Sequence, residues 1–275
     1  MIARSLTFLA CIALSYTATS ATPPAPVKLW RLDCGAILEN DLNLFSDTYA
    51  YTGQSKELTV SCYLIKHGDT YMLWDTGLST EALGKPLQGP GATGESLRKS
   101  LPDQLKVLGV EPEQIEIIGI SHYHYDHTGQ AALFPKARLL MGKDDIAALR
   151  TPGSERAKPL AHWLSGEGKL EELGGDRDVF RDESVVVLDL PGHTPGHHGL
   201  LVKLSKQYVL LSGDVAHFEQ NYANNGVPIF NTDRADSLAS LDRFKGIAKN
   251  LRATVVIQHE YADIKKLPAF PAYAE

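Results

Sequence analysis

The segment Ser121-His122-Tyr123-His124-Tyr125-Asp126-His127 carries most of the information about the fold, because it sets metal-ligating side chains directly after an apolar strand. Four potential ligands lie within six positions: His122, His124, Asp126 and His127. His122 and His124 are two residues apart, so in an extended chain their imidazoles point the same way. Asp126 and His127 stand where the chain turns into a helix and can face a second ion. Imidazole and carboxylate ligands suit zinc and other divalent metals.

The histidines of this chain are not spread evenly. Six of the ten fall into two tight sets, each after a strand-like run: His122, His124 and His127, and His193, His197 and His198. This grouping argues against a polar loop that is rich in histidine by chance. For His197 and His198, which follow the loop that carries His193, we predict structural hydrogen bonds rather than metal ligation.

Further candidate ligands follow other strand-like runs. The loop 191–197, which is rich in Gly and Pro, contains His193, and residues 258–260 contain His259. Residues 212–214 contain Asp214, whose carboxylate could bridge two ions. At the end of an early strand, Asp75 could accept a hydrogen bond from a ligand imidazole. Every candidate stands at the carboxyl end of a strand, as one rim of a layered sheet fold requires.

The H-x-H-x-D-H run, with the later His, Asp and His, resembles the metallo-β-lactamase superfamily. Within it, the chain is similar to the N-acyl homoserine lactone hydrolases, the quorum-quenching lactonases. The likeness runs from about Leu29 to the C-terminus and includes Cys62-Tyr63-Leu64, Asp75-Thr76-Gly77 and Phe270-Pro271-Ala272-Tyr273. The resemblance implies an α/β fold, a four-layer αβ/βα sandwich of two mixed sheets flanked by helices.

The resemblance also implies a site with two zinc ions. His122, His124 and His193 would hold one ion, Asp126, His127 and His259 the other, and Asp214 would bridge them. Two such ions share a hydroxide, which would attack the lactone carbonyl, open the ring and release an acyl homoserine. Asp126 or a metal-bound water would handle the proton.

One position departs from the lactonase pattern. Lactonases of this type usually carry a tyrosine three residues after the bridging aspartate, whereas this chain has His217. An imidazole can donate the same hydrogen bond to the substrate, and near neutral pH it can also deliver a proton. The alternative is a histidine of the pocket wall without a chemical role. Tyr222 is another candidate hydroxyl, although nothing in its spacing singles it out.

Two tyrosines alternate with the ligands of the central segment. Tyr123 and Tyr125 could line a pocket for an acyl chain, since apolar walls suit such tails. Equally, they could only pack the loop. Of these two tyrosines we predict substrate contact for Tyr125, and we predict it for His217 as well. The open alternatives are that Tyr125 only packs the loop and that His217 only forms part of the pocket wall.

Other activities of the same superfamily remain alternatives. A zinc β-lactamase would fit an exported protein, but a bridging Asp214 resembles the lactonase and glyoxalase branches more closely. An iron-dependent oxidoreductase is disfavoured because flavodiiron-type members usually have a carboxylate where His124 stands, and no flavin domain follows. A non-catalytic zinc-binding protein, whose ligands would fill every coordination position of the metal, is disfavoured too. Seven ligands with a bridging carboxylate leave coordination positions open for water. Other esters and thioesters stay open as substrates.

Composition limits the class of protein and the kind of partner. The chain has 275 residues, 43% of them hydrophobic and 22% charged, enough for one large domain with a sizeable core. The net charge is −6 and no basic run stands out, which argues against a nucleic-acid partner. We therefore expect a small-molecule substrate, and we leave a monomer and a homodimer open.

The N-terminus has the pattern of an export signal. Residues 1–21 combine Arg4, a short apolar run and small residues at a cleavage site, which predicts a signal peptide. The apolar run is too short for a stable membrane span. We expect a mature domain over residues 22–275, located in the periplasm or outside the cell. In that compartment Cys34 and Cys62 could pair. We favour two buried thiols slightly, because a domain of this size needs no disulfide.

Overall fold

The computed structural model describes residues 25–275. The predicted signal peptide, residues 1–21, lies outside these described residues, so its cleavage and the start of the mature domain stay predictions. Within residues 25–275 no helix is both long enough and apolar enough to cross a membrane.

The first half of the chain builds a seven-stranded mixed sheet. Its strands are β1 (Val27–Glu39), β2 (Lys56–His67), β3 (Thr70–Trp74), β4 (Glu95–Ser96), β5 (Ile115–Gly119), β6 (Arg138–Gly142) and β7 (Leu170–Leu173), in the order β4-β1-β2-β3-β5-β6-β7. Strands β2 and β3 form a hairpin, with His67 opposite Thr70. Strands β3, β5, β6 and β7 run parallel. Parallel neighbours bring their carboxyl ends to one edge.

The second half builds a five-stranded sheet that faces the first. Its strands are β8 (Arg177–Asp178), β9 (Val185–Asp189), β10 (His198–Lys203), β11 (Tyr208–Leu211) and β12 (Thr254–Val256), in the order β12-β11-β10-β9-β8. Side chains of both sheets form one apolar cluster, which includes Leu29, Trp74, Leu200 and Val209. The alternation of inward and outward residues along each strand produces this shared core.

Helices cover the outer faces of the two sheets. They are α1 (Leu101–Val107), α2 (Tyr125–Thr128), α3 (Lys143–Leu149), α4 (Ala161–Leu164), α5 (Glu219–Asn224) and α6 (Arg234–Leu251). The 18-residue helix α6 begins after the N-cap Asp233 and buries Leu241 and Phe244. Two mixed sheets flanked by helices confirm the predicted αβ/βα sandwich.

The first strand joins distant parts of the chain. Leu29 in β1 exchanges two backbone hydrogen bonds with Ala274, each 2.9 Å long, so the C-terminal segment lies along the start of β1. The indole of Trp30 donates a further hydrogen bond to the carbonyl of Pro271. The lactonase-like tail is therefore part of the sheet edge.

Cys34 and Cys62 form a disulfide, so the slight preference for free thiols is wrong. Cys34 and Cys62 are bonded across β1 and β2, with their Cα atoms 5.7 Å apart. Register explains the pairing, because Leu32 lies opposite Cys62 and the irregularity between Asp33 and Gly35 brings Cys34 alongside. Gly77 passes so close that a Cβ there would stand 2.4 Å from the Cβ of Cys34. Domain size alone gave no indication of this local geometry.

Candidate metal centre

The predicted ligands converge at one rim of the sandwich. Strands β5, β9, β11 and β12 each end just before one of the ligand-bearing segments, which carry His122, His193, Asp214 and His259. Short loops after strands that share an edge bring together residues far apart in sequence. The structure therefore gathers all seven predicted ligand side chains in one place.

The first ligand group consists of His122, His124, His193 and Asp214, whose ligand atoms all lie within 4.8 Å of one another. The His193 Nε2 lies 2.9 Å from the His124 Nδ1 and 3.1 Å from the His122 Nε2. The Asp214 Oδ2 is 3.3 Å from the His193 Nε2 and 3.5 Å from the His122 Nε2. Three ring nitrogens and one carboxylate oxygen thus surround a single point.

The second group consists of Asp126, His127 and His259. The Asp126 Oδ2 lies 3.5 Å from the Nε2 atoms of both His127 and His259. The second oxygen of Asp214, Oδ1, faces this group and is 3.4 Å from the His127 Nε2 and 3.2 Å from the His259 Nε2. The carboxylate of Asp214 therefore stands between the two groups with one oxygen toward each.

The chemistry of these side chains fits two divalent cations. Among residues 25–275, the buried His127 Nε2 and Asp214 Oδ1 have no hydrogen-bond partner. Burial, reinforced by neighbouring imidazoles, lowers the pKa of His122 well below its usual range and that of His124 to about 2. Both rings are therefore neutral at pH 7 and offer lone pairs. Against the effect of burial, Asp214 and Asp126 raise the pKa of His127 and His259, so the second group favours a positive charge beside these carboxylates, which a metal cation supplies.

Each of three ligand imidazoles is oriented by a hydrogen bond on its other nitrogen. The Nδ1 of His127 donates to Asp75, as predicted, over 2.9 Å. The Nδ1 of His259 donates to the carbonyl of Thr59 over 2.8 Å, and the Nδ1 of His193 donates to Asn231 over 2.9 Å. Such partners fix the tautomer and leave Nε2 free for a metal.

His197 fulfils the structural role that we predicted for it. Its Nδ1 donates to the carbonyl of Leu190 over 2.8 Å, and its Nε2 accepts the backbone N–H of Asp214 over 2.7 Å. The fully buried ring thus holds the backbone that carries the shared carboxylate.

Asp145 is a contributor that sequence reasoning missed. This residue, in α3, accepts hydrogen bonds from the Thr194 hydroxyl at 2.8 Å and from the Gly196 N–H at 2.7 Å, and so holds the loop that carries His193. Burial raises its pKa to about 6, although these donors act in the opposite direction. Because its partners are about 50 residues away, no local pattern marks it. Asn231 was missed for the same reason.

His217 lies against the shared carboxylate, as its spacing suggested. Its Nε2 is 3.2 Å from the Asp214 Oδ2, and its ring packs edge-on against Phe45. Burial lowers the pKa of His217 to about 4, so the ring is neutral at pH 7. A neutral ring can donate one N–H to a substrate oxygen. The expectation that it delivers a proton near neutral pH does not agree with this lowered pKa.

A cavity of about 390 Å³ opens over both ligand groups. One wall is apolar, formed by Ile37, Phe45, Leu58 and Phe230. Tyr125 lines the opening and is half exposed, and Tyr123 lines the cavity as well, although its ring is mostly buried beside the Arg156 guanidinium. Tyr222 instead packs on Phe244 and is absent from the cavity lining among the described residues. A cavity of this size suits a small organic molecule with an apolar part.

Two facing mixed sheets with two ligand groups at one rim define the class of proteins with a dinuclear metallohydrolase fold. The chain belongs to the metallo-beta-lactamase superfamily, whose family model matches residues 56–259. The matched region begins at β2 and ends at His259.

Several relatives are similar over most of their length. The chain is 28% identical over 245 residues to the N-acyl homoserine lactonase AttM of Rhizobium radiobacter, covering 80% of this chain and 90% of that protein. It is 28% identical over 229 residues to an N-acyl homoserine lactonase of Bacillus sp, covering 80% and 89%. A solved N-acyl homoserine lactone hydrolase with its product at the catalytic metal centre superposes with a TM-score of 0.76, at 24% identity and 91% and 99% coverage. The resemblance that the motifs indicated is confirmed.

Proposed function

We propose that this protein hydrolyses the lactone ring of N-acyl homoserine lactones with two zinc ions at the Asp214 centre. The observation that carries this proposal is the shared Asp214 carboxylate beside a cavity with one apolar wall. Relatives named N-acyl homoserine lactonase support the substrate class. A similar fold described as a dizinc quorum-quenching lactonase supports the choice of metal.

The protein groups have separate tasks in this reaction. When bound, two divalent cations lower the pKa of water and polarise an ester carbonyl. The N–H of His217 donates to an oxygen of the lactone ester, and the Asp126 carboxylate accepts the proton released during attack. Ile37, Leu58 and Phe230 contact the acyl chain and exclude water from that side of the cavity. Tyr125 contacts the substrate at the opening.

The test compares two substrates on the same zinc-loaded protein over residues 22–275. We expect a long-chain acyl homoserine lactone to be opened faster than a β-lactam by several orders of magnitude in kcat/KM. The ring-opened N-acyl homoserine with the same acyl chain serves as the product standard. A preference for the β-lactam would keep the fold and the metal centre and would overturn the proposed substrate.

Export to the periplasm or beyond the cell is part of the proposal. The Cys34–Cys62 disulfide supports it, since disulfides persist in oxidising compartments. Expression of the full chain in a bacterium, followed by mass measurement of the periplasmic protein, tests both export and cleavage near residue 21. Recovery of uncleaved protein only from the cytoplasm would contradict it.

A further inference from the structure

A second cavity, of about 340 Å³, lies outside the metal centre and shares no lining residue with the cavity described above. One side of it is cationic and includes Arg31, Arg98 and Lys99. The other side is apolar and includes Ile264, Ala269 and Phe270 from the C-terminal segment. A hollow with a cationic side and an apolar side differs in chemistry from the acidic, histidine-rich centre.

Arg31 is the central group of this cavity. It lies in β1, is half-buried, and donates from Nε to the Ser61 hydroxyl over 2.9 Å. Among residues 25–275 no carboxylate forms a salt bridge with it, and burial lowers the pKa of its guanidinium. A sheltered guanidinium has five donors in a fixed fork, of which the serine uses one. The other donors are available to a ligand in the cavity.

The neighbouring acid, Asp33, acts on Arg31 only through space, because among residues 25–275 no salt bridge joins the two and the Asp33 Oδ2 is engaged by Arg98. Asp33 accepts from Arg98 through Nε at 2.9 Å and Nη2 at 2.8 Å. The lining therefore has three cationic side chains and one carboxylate, a surplus of two positive charges. Arg98 and Lys99 are exposed at the opening, where their field attracts anions.

The wall around Arg31 is held rigidly by Gln104 of α1. The Gln104 amide donates to the Asp33 carbonyl over 2.8 Å and accepts the Asp33 N–H over 2.9 Å. The apolar side is held by the tail, which is paired with β1 through Ala274. The cavity is therefore preformed, so a ligand would pay little ordering cost on binding.

We propose that this cavity is a binding site for a small organic anion, whose head group contacts Arg31 and whose short apolar body lies against Ile264, Ala269 and Phe270. A guanidinium fork binds carboxylate and phosphate oxygens in the same paired geometry. Both head groups therefore share the chemistry that the site recognises. This site does not depend on the proposed lactone hydrolysis.

The test is calorimetric titration of the zinc-loaded protein with four probes: hexanoate, hexyl phosphate, inorganic phosphate and hexanol. We expect hexanoate or hexyl phosphate to bind more tightly than both inorganic phosphate and hexanol, and the better of the two identifies the head group. Arg31→Gln should weaken that binding by about tenfold or more. Because a carboxylate also competes for the metal centre, inhibition of hydrolysis is measured in parallel and should be unchanged in Arg31→Gln.

Two surface substitutions protect the test against misfolding of the Arg31 variant. Ala269→Glu places a carboxylate at the opening, where it pairs with the cations and should abolish binding, and Lys99→Gln should weaken it. Lys106→Gln removes an exposed charge from α1 outside the cavity and should change nothing. Equal affinity in wild type, Ala269→Glu and Arg31→Gln would overturn the proposal. Hexanol binding as tightly as the anions, or inorganic phosphate as tightly as hexyl phosphate, would also overturn it.

Discussion

Asp214 is the residue on which the two ligand groups depend, since each of its oxygens faces one group. Replacing it by Asn keeps the size but removes the charge that both ions would share. We expect Asp214→Asn to lose most of both metals and to lower activity by at least about 100-fold. Elemental analysis counts the metals, and Asp242→Asn, an exposed change in α6, is the control. Full occupancy with unchanged activity would exclude the bridging role.

His217 offers a test of hydrogen-bond donation that leaves the metals in place. We expect His217→Phe to slow lactone opening by about 10- to 100-fold with normal metal content, because one donor to the substrate is lost. His217→Tyr should recover much of the rate, since a phenol hydroxyl restores a donor at the position where related lactonases carry tyrosine. Rates and metal content are measured on the same samples. If the Phe variant turns over at the wild-type rate, His217 belongs only to the pocket wall.

The raised pKa of Asp145 predicts a dependence of stability on pH. Its folded pKa, about 6, lies above the ordinary value of 3.8, so the folded state binds more protons between those values. The contribution of this group to the free energy of unfolding is therefore largest below pH 4 and falls as pH rises toward 6. Asp145→Asn should remove this fall, which we expect to be roughly 1–3 kcal/mol.

The measurement for Asp145 is denaturant unfolding from pH 4 to pH 8 in parallel with wild type. The difference in the free energy of unfolding between the variant and wild type, taken at each pH, cancels the contribution of the ligand histidines, which both proteins share. Asp144→Asn is the matched control, because Asp144 is the exposed neighbour on the same turn of α3. A difference that stays constant over this pH range would show that Asp145 titrates at its ordinary pKa.

At the scale of elements, local pattern identifies most strands but not the two-residue strands β4 and β8. The runs that form β2, β5 and β9 contain many apolar and β-branched residues, so pattern alone identifies them. Strands β4 and β8 have two residues each, and their pairing with β1 and β9 depends on how distant segments pack. The apolar run at 27–33 indicates a strand, which in the structure continues to Glu39 across the irregularity between Asp33 and Gly35. Local propensity cannot indicate such tertiary pairing.

The disulfide between Cys34 of β1 and Cys62 of β2 covalently links two neighbouring strands of the seven-stranded sheet. It closes a loop between residues 28 positions apart. In the chain-entropy treatment such a loop stabilises the folded state by about 3–4 kcal/mol. We expect the double variant Cys34→Ala, Cys62→Ala to lose about this much in denaturant unfolding. Reduced wild-type protein should behave like the variant, and equal stability in oxidised and reduced forms would contradict the prediction.

At the scale of the whole molecule, the site was more predictable than the details that support it. Ligand residues are recognisable because each follows a strand, and parallel strands share one edge. Their supporting groups, such as Asp145 and Asn231, come from other segments and become visible only when the layers are assembled. The disulfide was misjudged because domain size says nothing about which two Cβ atoms meet.

Metal removal should affect the whole domain, because the ligands come from both sheets. We expect chelation to lower the thermal midpoint and added zinc to restore it, by the equivalent of about 3–4 kcal/mol when zinc exceeds its dissociation constant 100- to 1,000-fold. Differential scanning calorimetry with and without chelator measures this shift. The Asp214→Asn variant should respond less. An unchanged midpoint after complete metal removal would show that the centre does not tie the sheets together.

The pairing of Leu29 with Ala274 has a consequence for the time course of assembly. A segment synthesised early must wait for a partner made 245 residues later before the edge of its sheet is closed. Contacts of such long separation form slowly. For a polypeptide exported as we propose, this delay is useful. The nascent chain can cross the membrane unfolded, and the pairing of β1 with the C-terminal segment and the Cys34–Cys62 bond between β1 and β2 both form on the far side, where thiols are oxidised.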